Sequence, residues 1–296
     1  MATENSETSE AVAPAASAPA FIADLALFLA GTDGDEAAVA YAETLATGFA
    51  AHLDCHLINH VPVPILTAAP GAAALAAEFA QQAEEAGQKV EAALRTRLGR
   101  LGVPWELRRS DGTLGELRGA IARQCGLVDV VVQSQKSVTE ATDMSLFEAI
   151  LFDARAPVLL VPEAAGKVSA LPKTVFVSFL DTPECARAIA GALPFLKRAD
   201  LVVLASIAED GASEERRVEP MNDMARHLAR HGVTVEIREL PAWDDPAKGL
   251  LEAANVSGAE LLVAGAYGHS RLREFLFGGV TRSLIRNCHL PILMAH

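Results

Sequence analysis

Four glycines near the end of the sequence have a spacing that is typical of anion-binding turns. Gly265 and Gly268 are separated by two residues, and nine further residues separate Gly268 from the adjacent pair Gly278 and Gly279. Glycine permits positive φ angles and lets a ligand approach the backbone closely. The chemistry that such a stretch offers is hydrogen bonding from backbone N–H groups to a phosphate. The alternative is a glycine-rich turn that binds nothing.

The glycines lie where a strand is predicted to end and a helix to begin. The mostly apolar run 260–264 precedes them and is typical of a buried parallel strand, whereas 280–287 has a helical pattern. A helix N-terminus carries free N–H groups and a partial positive charge, which favours an anion. The stretch has neither the Gly-Lys-Ser/Thr of a P-loop nor the GxGxxG of a Rossmann dehydrogenase, so neither of those two nucleotide sites is supported.

The glycine pattern resembles the nucleotide loop of the universal stress protein family, in which G-x2-G-x9-G is followed by Ser or Thr. Gly279 stands where that hydroxyl is usual, and Thr281 is the hydroxyl two residues further on. The resemblance implies that an adenine nucleotide, ATP with or without Mg²⁺, binds to Gly265, Gly268, Gly278, Gly279 and Thr281.

The same resemblance implies an Asp near the adenosine, at the end of the first strand of the domain. Leu180 occupies that position, and Asp181 lies one residue later. Asp181 is therefore either a substitute contact or, as the alternative, the N-cap of a helix that starts at Pro183. Ile207, at the end of the next strand, would line the adenine pocket or belong to the core. Arg271 flanks the glycines and would neutralise phosphate charge, or lies on the surface.

Strand-like and helix-like segments alternate in two passes of similar length, which predicts an α/β fold with parallel sheets. The closing segments 154–162 and 287–296 repeat each other, with Pro157 aligned to Pro291. By resemblance, each unit is a doubly wound parallel-sheet domain of the adenine nucleotide alpha hydrolase-like kind. The predicted organisation is a disordered tail (1–20), a first domain (21–163), a linker (164–172) and a second domain (173–296).

Local patterns also predict where individual elements begin and end. Helices are predicted at 114–124, 148–154 and 183–196, and the charged run 208–216 is predicted as a loop. Asp245 is predicted to cap the helix that follows it, because Asp before Pro favours a turn.

The two predicted domains differ at the position of the glycines. When the closing segments are aligned, Ser134 and Ser137 take the places of the first two glycines, and Met144 and Ser145 those of the last two. A methionine side chain and the absence of glycine hinder the close approach of a phosphate. The sequence therefore predicts that the second domain carries the ligand and the first is a packing partner.

Composition argues against several classes of function. Acidic residues outnumber basic ones 38 to 25, with a formal charge of −13, so nucleic acid and anionic lipid would be repelled. The four cysteines are far apart and show no CxxC spacing, which is typical of buried thiols in a reducing compartment. No apolar run is long enough to span a membrane, and the N-terminus lacks signal-peptide features. We therefore expect a cytoplasmic protein.

The sequence leaves three functions open. The first is a regulatory protein that binds ATP or another adenine nucleotide under stress, which needs only backbone donors. The second is a scaffold that acts through protein partners without a nucleotide, which Leu180 and Gly279 favour. The third is a slow ATP hydrolase; no acid is clearly placed at the loop, so an enzyme is not expected. The resemblance also implies association through the last strands, 157–161 with 291–295, as a pseudo-dimer within the chain or a homodimer.

Overall fold

The computed structural model describes residues 22–61, 72–138, 141–153, 155–208, 214–266 and 279–296. The predicted tail, 1–20, lies outside the described residues. In the N-terminal half the elements are β1 (Asp24–Leu29), α1 (Asp35–Phe49), β2 (His52–His60), α2 (Ala72–Leu98), β3 (Trp105–Gly112), α3 (Leu114–Gln124), β4 (Val130–Ser134), α4 (Ala141–Asp153) and β5 (Val158–Val161). In the C-terminal half they are β6 (Thr174–Ser178), α5 (Pro183–Leu196), β7 (Leu201–Ile207), α6 (Glu214–Arg230), β8 (Val235–Leu240), α7 (Pro246–Val256), β9 (Leu261–Gly265), α8 (Gly279–Asn287) and β10 (Ile292–Ala295).

The strands of both halves form one ten-stranded sheet, in the order β3-β2-β1-β4-β5-β10-β9-β6-β7-β8. Each half contributes five parallel strands in the same order, which confirms the predicted α/β class and its repeat. Within each half the chain reverses direction across the sheet between the first strand and the fourth, at β1/β4 and β6/β9. Doubly wound sheets bind ligands at such switch points, beyond the carboxyl ends of the strands.

The two half-sheets meet at β5 and β10, which pair antiparallel. Leu159 lies opposite Leu293, with Leu160 opposite Ile292 and Val158 opposite Met294. These side chains are almost completely buried. β5 also pairs with β4, and β10 with β9, so neither closing strand has a free edge for a strand of a second chain.

Helices cover both faces of the sheet and bury two apolar cores. One core lies under α1, α2, α5 and α6, and the other lies under α3, α4, α7 and α8. This arrangement explains why the central strands are apolar on both faces instead of alternating. Within the described residues, no helix combines the length and the hydropathy needed to cross a bilayer.

An acidic residue anchors the start of the first strand in each half. Asp129, just before β4, accepts hydrogen bonds at Oδ2 from the backbone N–H groups of Ala23 (2.7 Å) and Asp24 (3.1 Å). Glu260, just before β9, accepts from Lys173 (2.5 Å) and Thr174 (3.3 Å) in the same way. The carboxylates satisfy amides that begin the strands, and their equivalent positions are a further sign of the repeat.

The halves also pack together through the ends of α1 and α5. The rings of Phe49 and Phe195 meet edge to face, with centroids 5.2 Å apart and an interplanar angle of 80°. The guanidinium of Arg198 lies 4.3 Å from the Phe49 centroid and donates to the carbonyl oxygen of Gly48. A Cβ atom at Gly191 would lie 2.7 Å from Pro157 Cγ, so α5 approaches the N-terminal half closely.

The segment predicted as a linker lies along α1. Residues Glu163–Lys167 form a 3-10 helix in which Ala165 is buried. Further on, Thr44 donates from Oγ1 to the carbonyl oxygen of Val168 at 2.9 Å. A Cβ atom at Gly48 would lie 2.7 Å from Leu171 Cγ, which places the segment directly against the helix.

Three helix boundaries follow the sequence patterns and two do not. The helices at 114–124 and 183–196 are confirmed, and Asp245 caps α7 as predicted, accepting from Ala247 and Lys248. By contrast, α4 begins at Ala141 instead of 148, and α6 begins at Glu214, inside the predicted loop 208–216. Charged residues are compatible with the solvent face of a helix, so a charged run alone does not distinguish a helix from a loop.

The aromatic contact between the halves can be measured with a double-mutant cycle. Replacing Phe49 and Phe195 by Leu, singly and together, is expected to show a coupling of about 0.5–1.5 kcal/mol in urea unfolding, because the rings interact beyond their simple burial. Phe49 and Phe147, whose rings lie in different cores, provide a matched cycle in which coupling should be close to zero. Equal coupling in both cycles would contradict a direct contact between the halves.

Candidate functional site

The C-terminal switch point brings the end of β6 next to the end of β9. Ser178 pairs with Ala264, so the turn after β6 and the glycine stretch after β9 leave the sheet side by side. The helices α6 and α8 begin at the same edge, because each crossover leaves the carboxyl end of a strand. Of the predicted site residues, Gly265, Asp181, Ile207, Gly279 and Thr281 are described. Gly268, Arg271 and Gly278 lie outside the described residues.

The packing of α5 by itself requires a glycine at position 265. A Cβ atom there would lie 2.6 Å from the backbone nitrogen of Cys185, 2.9 Å from its Cα and 3.0 Å from the carbonyl carbon of Glu184. The next amide, that of Ala266, donates to the carbonyl oxygen of Ala295 at 2.9 Å. The start of the glycine stretch is therefore closed by the protein itself.

Thr182, not Asp181, caps α5. Its Oγ1 accepts a hydrogen bond from the Cys185 N–H at 3.3 Å, and Pro183 takes the first helical position. The alternative in which Asp181 is the N-cap is therefore wrong, because Thr182 stands directly before the proline and satisfies the helix amide. Asp181 is left with an exposed carboxylate at the carboxyl end of the sheet.

Asp181 lines a cavity of about 480 Å³ between the turn after β6 and the helix α6. Phe179, Pro220 and Met224 provide its apolar surface, and His227 and carboxylates provide its polar surface. The full lining is Phe179, Asp181, Glu219, Pro220, Asp223, Met224 and His227. Ile207 is not among these residues. It packs instead against the core under α7 and α8, on the other face of the sheet.

Gly279, the last of the four glycines, is exposed and begins α8. Among the described residues, no atom lies within 4 Å of the position of a Cβ added there. Thr281 lies in the first turn of the same helix and is buried, with 8 % of its surface exposed. Nothing in the described part of the chain covers Gly279, whereas the Thr281 side chain is buried.

In the N-terminal half, the counterpart of the turn after β6 is the turn after β1. The side chain of Asp35 fills this turn. Asp35 is 3 % exposed, and its two oxygens accept hydrogen bonds from the N–H groups of Ala30 (3.3 Å), Gly31 (2.7 Å) and Thr32 (3.2 Å). Burial raises the pKa of Asp35 above its ordinary value, and the bonds from these backbone amides offset part of that effect. The amides that could hold an external anion are already satisfied.

The helix α2 packs directly against the same turn. Gly31 has φ +75°, and a Cβ atom there would lie 2.4 Å from Val90 Cγ1. Only a glycine permits both this conformation and this close approach. The N-terminal half therefore has no room where the C-terminal half has a cavity.

Cys185 occupies the position of Asp35 in the C-terminal half, five residues after Leu180 as Asp35 is five residues after Ala30. Its sulfur contacts the Leu180 N–H and the Ser178 carbonyl oxygen, each at 3.5 Å. Burial raises the pKa of the Cys185 thiol, which keeps it neutral. Aligning the two turns could have revealed this exchange of a carboxylate for a thiol, but sequence analysis considered only the strand ends.

Comparison with known proteins agrees with this geometry. A family model for the universal stress protein family matches residues 177–296. The C-terminal half is a universal stress protein domain. The family and the fold together support a role in the stress response. No curated protein matches the chain.

Solved structures extend the fold to both halves. A universal stress protein from Archaeoglobus fulgidus has a TM-score of 0.69 at 14% identity, covering 92% of this chain and 95% of its own. A protein from Pseudomonas aeruginosa assigned to the same family has a TM-score of 0.56 at 15% identity, covering 93% of each chain. A protein of unknown function from Pseudomonas aeruginosa gives 0.52 at 15% identity, covering 93% of this chain and 92% of its own. These TM-scores and coverages show that the fold is shared over both halves of the chain.

Replacing Gly265 by Ala tests whether α5 is the reason for this glycine. We expect a loss of about 1–3 kcal/mol in the free energy of unfolding, because the new methyl group overlaps the backbone of α5. Gly279→Ala is the matched control, since its Cβ meets no atom within 4 Å. Similar stability of the two variants in urea unfolding would show that α5 does not constrain Gly265.

Asp35 should give the N-terminal half a characteristic pH dependence. Because its pKa is raised from 3.8 in the folded state, its contribution to stability is greatest below that value and is lost as pH rises through the folded pKa. The free energy of unfolding of the wild type minus that of Asp35→Asn should therefore fall as pH rises above about 4.

Glu36→Gln is the control, because the pH dependence of its stability difference should have the opposite sign. The Arg97 hydrogen bond lowers the pKa of Glu36 from 4.5, so the corresponding difference should increase as pH rises toward about 4.5 and then stay level. Urea unfolding of all three proteins from acidic to neutral pH measures both trends. A difference for Asp35→Asn that rises with pH would show that the three amide hydrogen bonds outweigh the effect of burial on the Asp35 pKa.

Proposed function

We propose that this protein is a regulatory adenine-nucleotide-binding protein of the stress response, with a single ligand site in its C-terminal half. The observation that carries the proposal is the contrast between two equivalent turns. One is filled by Asp35 and covered by Val90, whereas the other holds the uncharged Cys185 and has Phe179 and Asp181 at the edge of a cavity.

The cavity suits the nucleoside end of such a ligand. Phe179 and Met224 offer apolar and aromatic surface against which a purine can stack. The carboxylates of Asp181, Glu219 and Asp223 accept hydrogen bonds, so they match the amino group of adenine and the hydroxyls of ribose. They also repel phosphate, which favours an orientation with the phosphates directed away from α6.

The N-terminus of α8 suits the phosphate end. Gly279 leaves the first turn of the helix open, and the aligned peptide dipoles favour an anion there. By its position in the sequence, Arg271 would add positive charge, and Mg²⁺ would offset the charge of a triphosphate. Gly268 and Gly278 would provide close backbone approach, and Gly265 would supply the packing that brings α5 to the site. Such binding needs no general base, so regulation is favoured over hydrolysis.

The site is proposed to operate in the cytoplasm. Cys55, Cys125, Cys185 and Cys288 are all buried free thiols, which suits a reducing compartment. Association within the chain, through β5 and β10, takes the place of a dimer formed through those strands, because both are paired on either side.

Nucleotide binding can be tested with a substitution that the fold tolerates. Gly279→Val should keep the protein folded but weaken ATP binding at least tenfold, because a branched side chain would stand over the helix amides. Mass spectrometry of nucleotide released by denaturing the purified protein, and calorimetric titration with ATP-Mg, measure the effect. Gly115→Val, in the first turn of α3 and also without atoms within 4 Å of its Cβ, is the matched control.

The outcomes distinguish the three functions. Binding by the wild type and by Gly115→Val, lost in Gly279→Val, supports the proposal. No nucleotide released from the wild type and no binding at millimolar ATP-Mg would instead favour a scaffold that acts through protein partners. Turnover of ATP that disappears in Gly279→Val would show a hydrolase.

A further inference from the structure

Gln135 connects the N-terminal half to the helix that follows the glycine stretch. Its side-chain amide donates from Nε2 to the carbonyl oxygens of Ile285 (2.6 Å) and Cys288 (2.9 Å). These carbonyls lie at the C-terminal end of α8, and Gln135 follows directly after β4, in the other half. The contact joins residues 150 and 153 positions apart in sequence.

The helix α8 needs such support. It spans nine residues, and an isolated helix of that length is marginally stable in water. Its last carbonyls have no partners within the helix and must be satisfied from outside. Gln135 supplies a hydrogen bond to one of them, the carbonyl oxygen of Ile285, and a second to Cys288, directly after the helix. It thereby fixes one end of a helix whose other end, at Gly279, belongs to the proposed ligand site.

From the equivalent position, the C-terminal half does not hold the end of α4 in the same way. Ala266 is the C-terminal counterpart of Gln135 and has no amide side chain. At this position the Ala266 carbonyl oxygen lies 3.1 Å from His296 Nδ1, and the His296 ring packs edge to face against Phe152, with centroids 4.6 Å apart. A hydrogen-bonded helix clamp therefore runs from the N-terminal half to α8, whereas the end of α4 receives a ring contact.

We propose that Gln135 is a positioning residue through which the N-terminal half controls ligand affinity in the C-terminal half. This inference rests on the proposed nucleotide function for its effect on affinity. Its structural part, the clamp on α8, stands independently. The N-terminal half, whose own turn is closed by Asp35, thus retains a role at the site: it holds the helix whose N-terminus faces the ligand. Loss of the clamp removes no ligand-contacting group but lets α8, and Gly279 with it, move.

Gln135→Glu and Gln135→Lys separate positioning from a general structural role. Glutamate has nearly the same shape but no N–H donors, and its charge is unfavourable at a helix C-terminus. Lysine keeps donors and has the favourable charge, so it should restore the clamp. Gln88→Glu, on the exposed face of α2, is the matched control for adding a negative charge. Hydrogen exchange of the backbone amides of α8, and calorimetric affinity for ATP-Mg, are measured on the full chain.

In Gln135→Glu we expect about tenfold faster exchange in the last turn of α8, corresponding to the loss of one to two neutral hydrogen bonds, together with about tenfold weaker ATP binding. Gln135→Lys and Gln88→Glu should stay within about twofold of the wild type in both measurements.

Unchanged α8 exchange in Gln135→Glu would overturn the clamp. Faster exchange with unchanged ATP affinity would overturn its link to the site. If the wild type binds no ATP, the proposed function fails, while exchange still decides whether Gln135 holds α8.

Discussion

The antiparallel pairing of β5 with β10 is the contact on which the rest of the structure depends. Each half-sheet would otherwise end in a short apolar strand with unpaired N–H and C=O groups, and an exposed apolar edge favours association. Pairing Leu159 with Leu293 satisfies these groups and buries the side chains on both faces. It also sets the two halves in a single relative orientation. The contacts of Phe49 with Phe195, and of Gln135 with α8, are possible only in that orientation.

Within this shared sheet, two turns of the same architecture have opposite chemistry. In the N-terminal half the carboxylate of Asp35 takes three amides, and a ligand anion would have to displace a group that is tethered at high effective concentration. In the C-terminal half the neutral thiol of Cys185 makes weaker contacts and brings no negative charge. The turn after β1 is thereby closed without a ligand, whereas the turn after β6 borders a cavity. The N-terminal half, whose own turn is closed, instead holds α8 in position.

Much of the fold could be predicted because the relevant signals are local. The helix α5 begins where Thr182 and Pro183 provide a cap and a first position, and α3 begins at the capping box of Thr113 and Glu116. Where such signals are absent or ambiguous, prediction was wrong: α4 begins seven residues earlier than predicted, at Ala141 instead of 148, and a charged run predicted as a loop contains the start of α6. The site was less predictable. Asp181 lies near a helix start and so fits the pattern of a cap, but the adjacent Thr182 accepts the hydrogen bond from the helix.

By itself, the sequence determined the alternation of strands and helices, the repeat of the two halves and the place of the glycines between a strand and a helix. Only the tertiary structure decided that Gly265 makes room for the backbone of α5, that Asp35 closes one turn, and that Gln135 holds a helix 150 residues away. The physical reason is the range of each interaction. Periodicity and capping report preferences of neighbouring residues. Which atom lies against a glycine or an amide depends on the packing of elements that meet only after the whole sheet has formed.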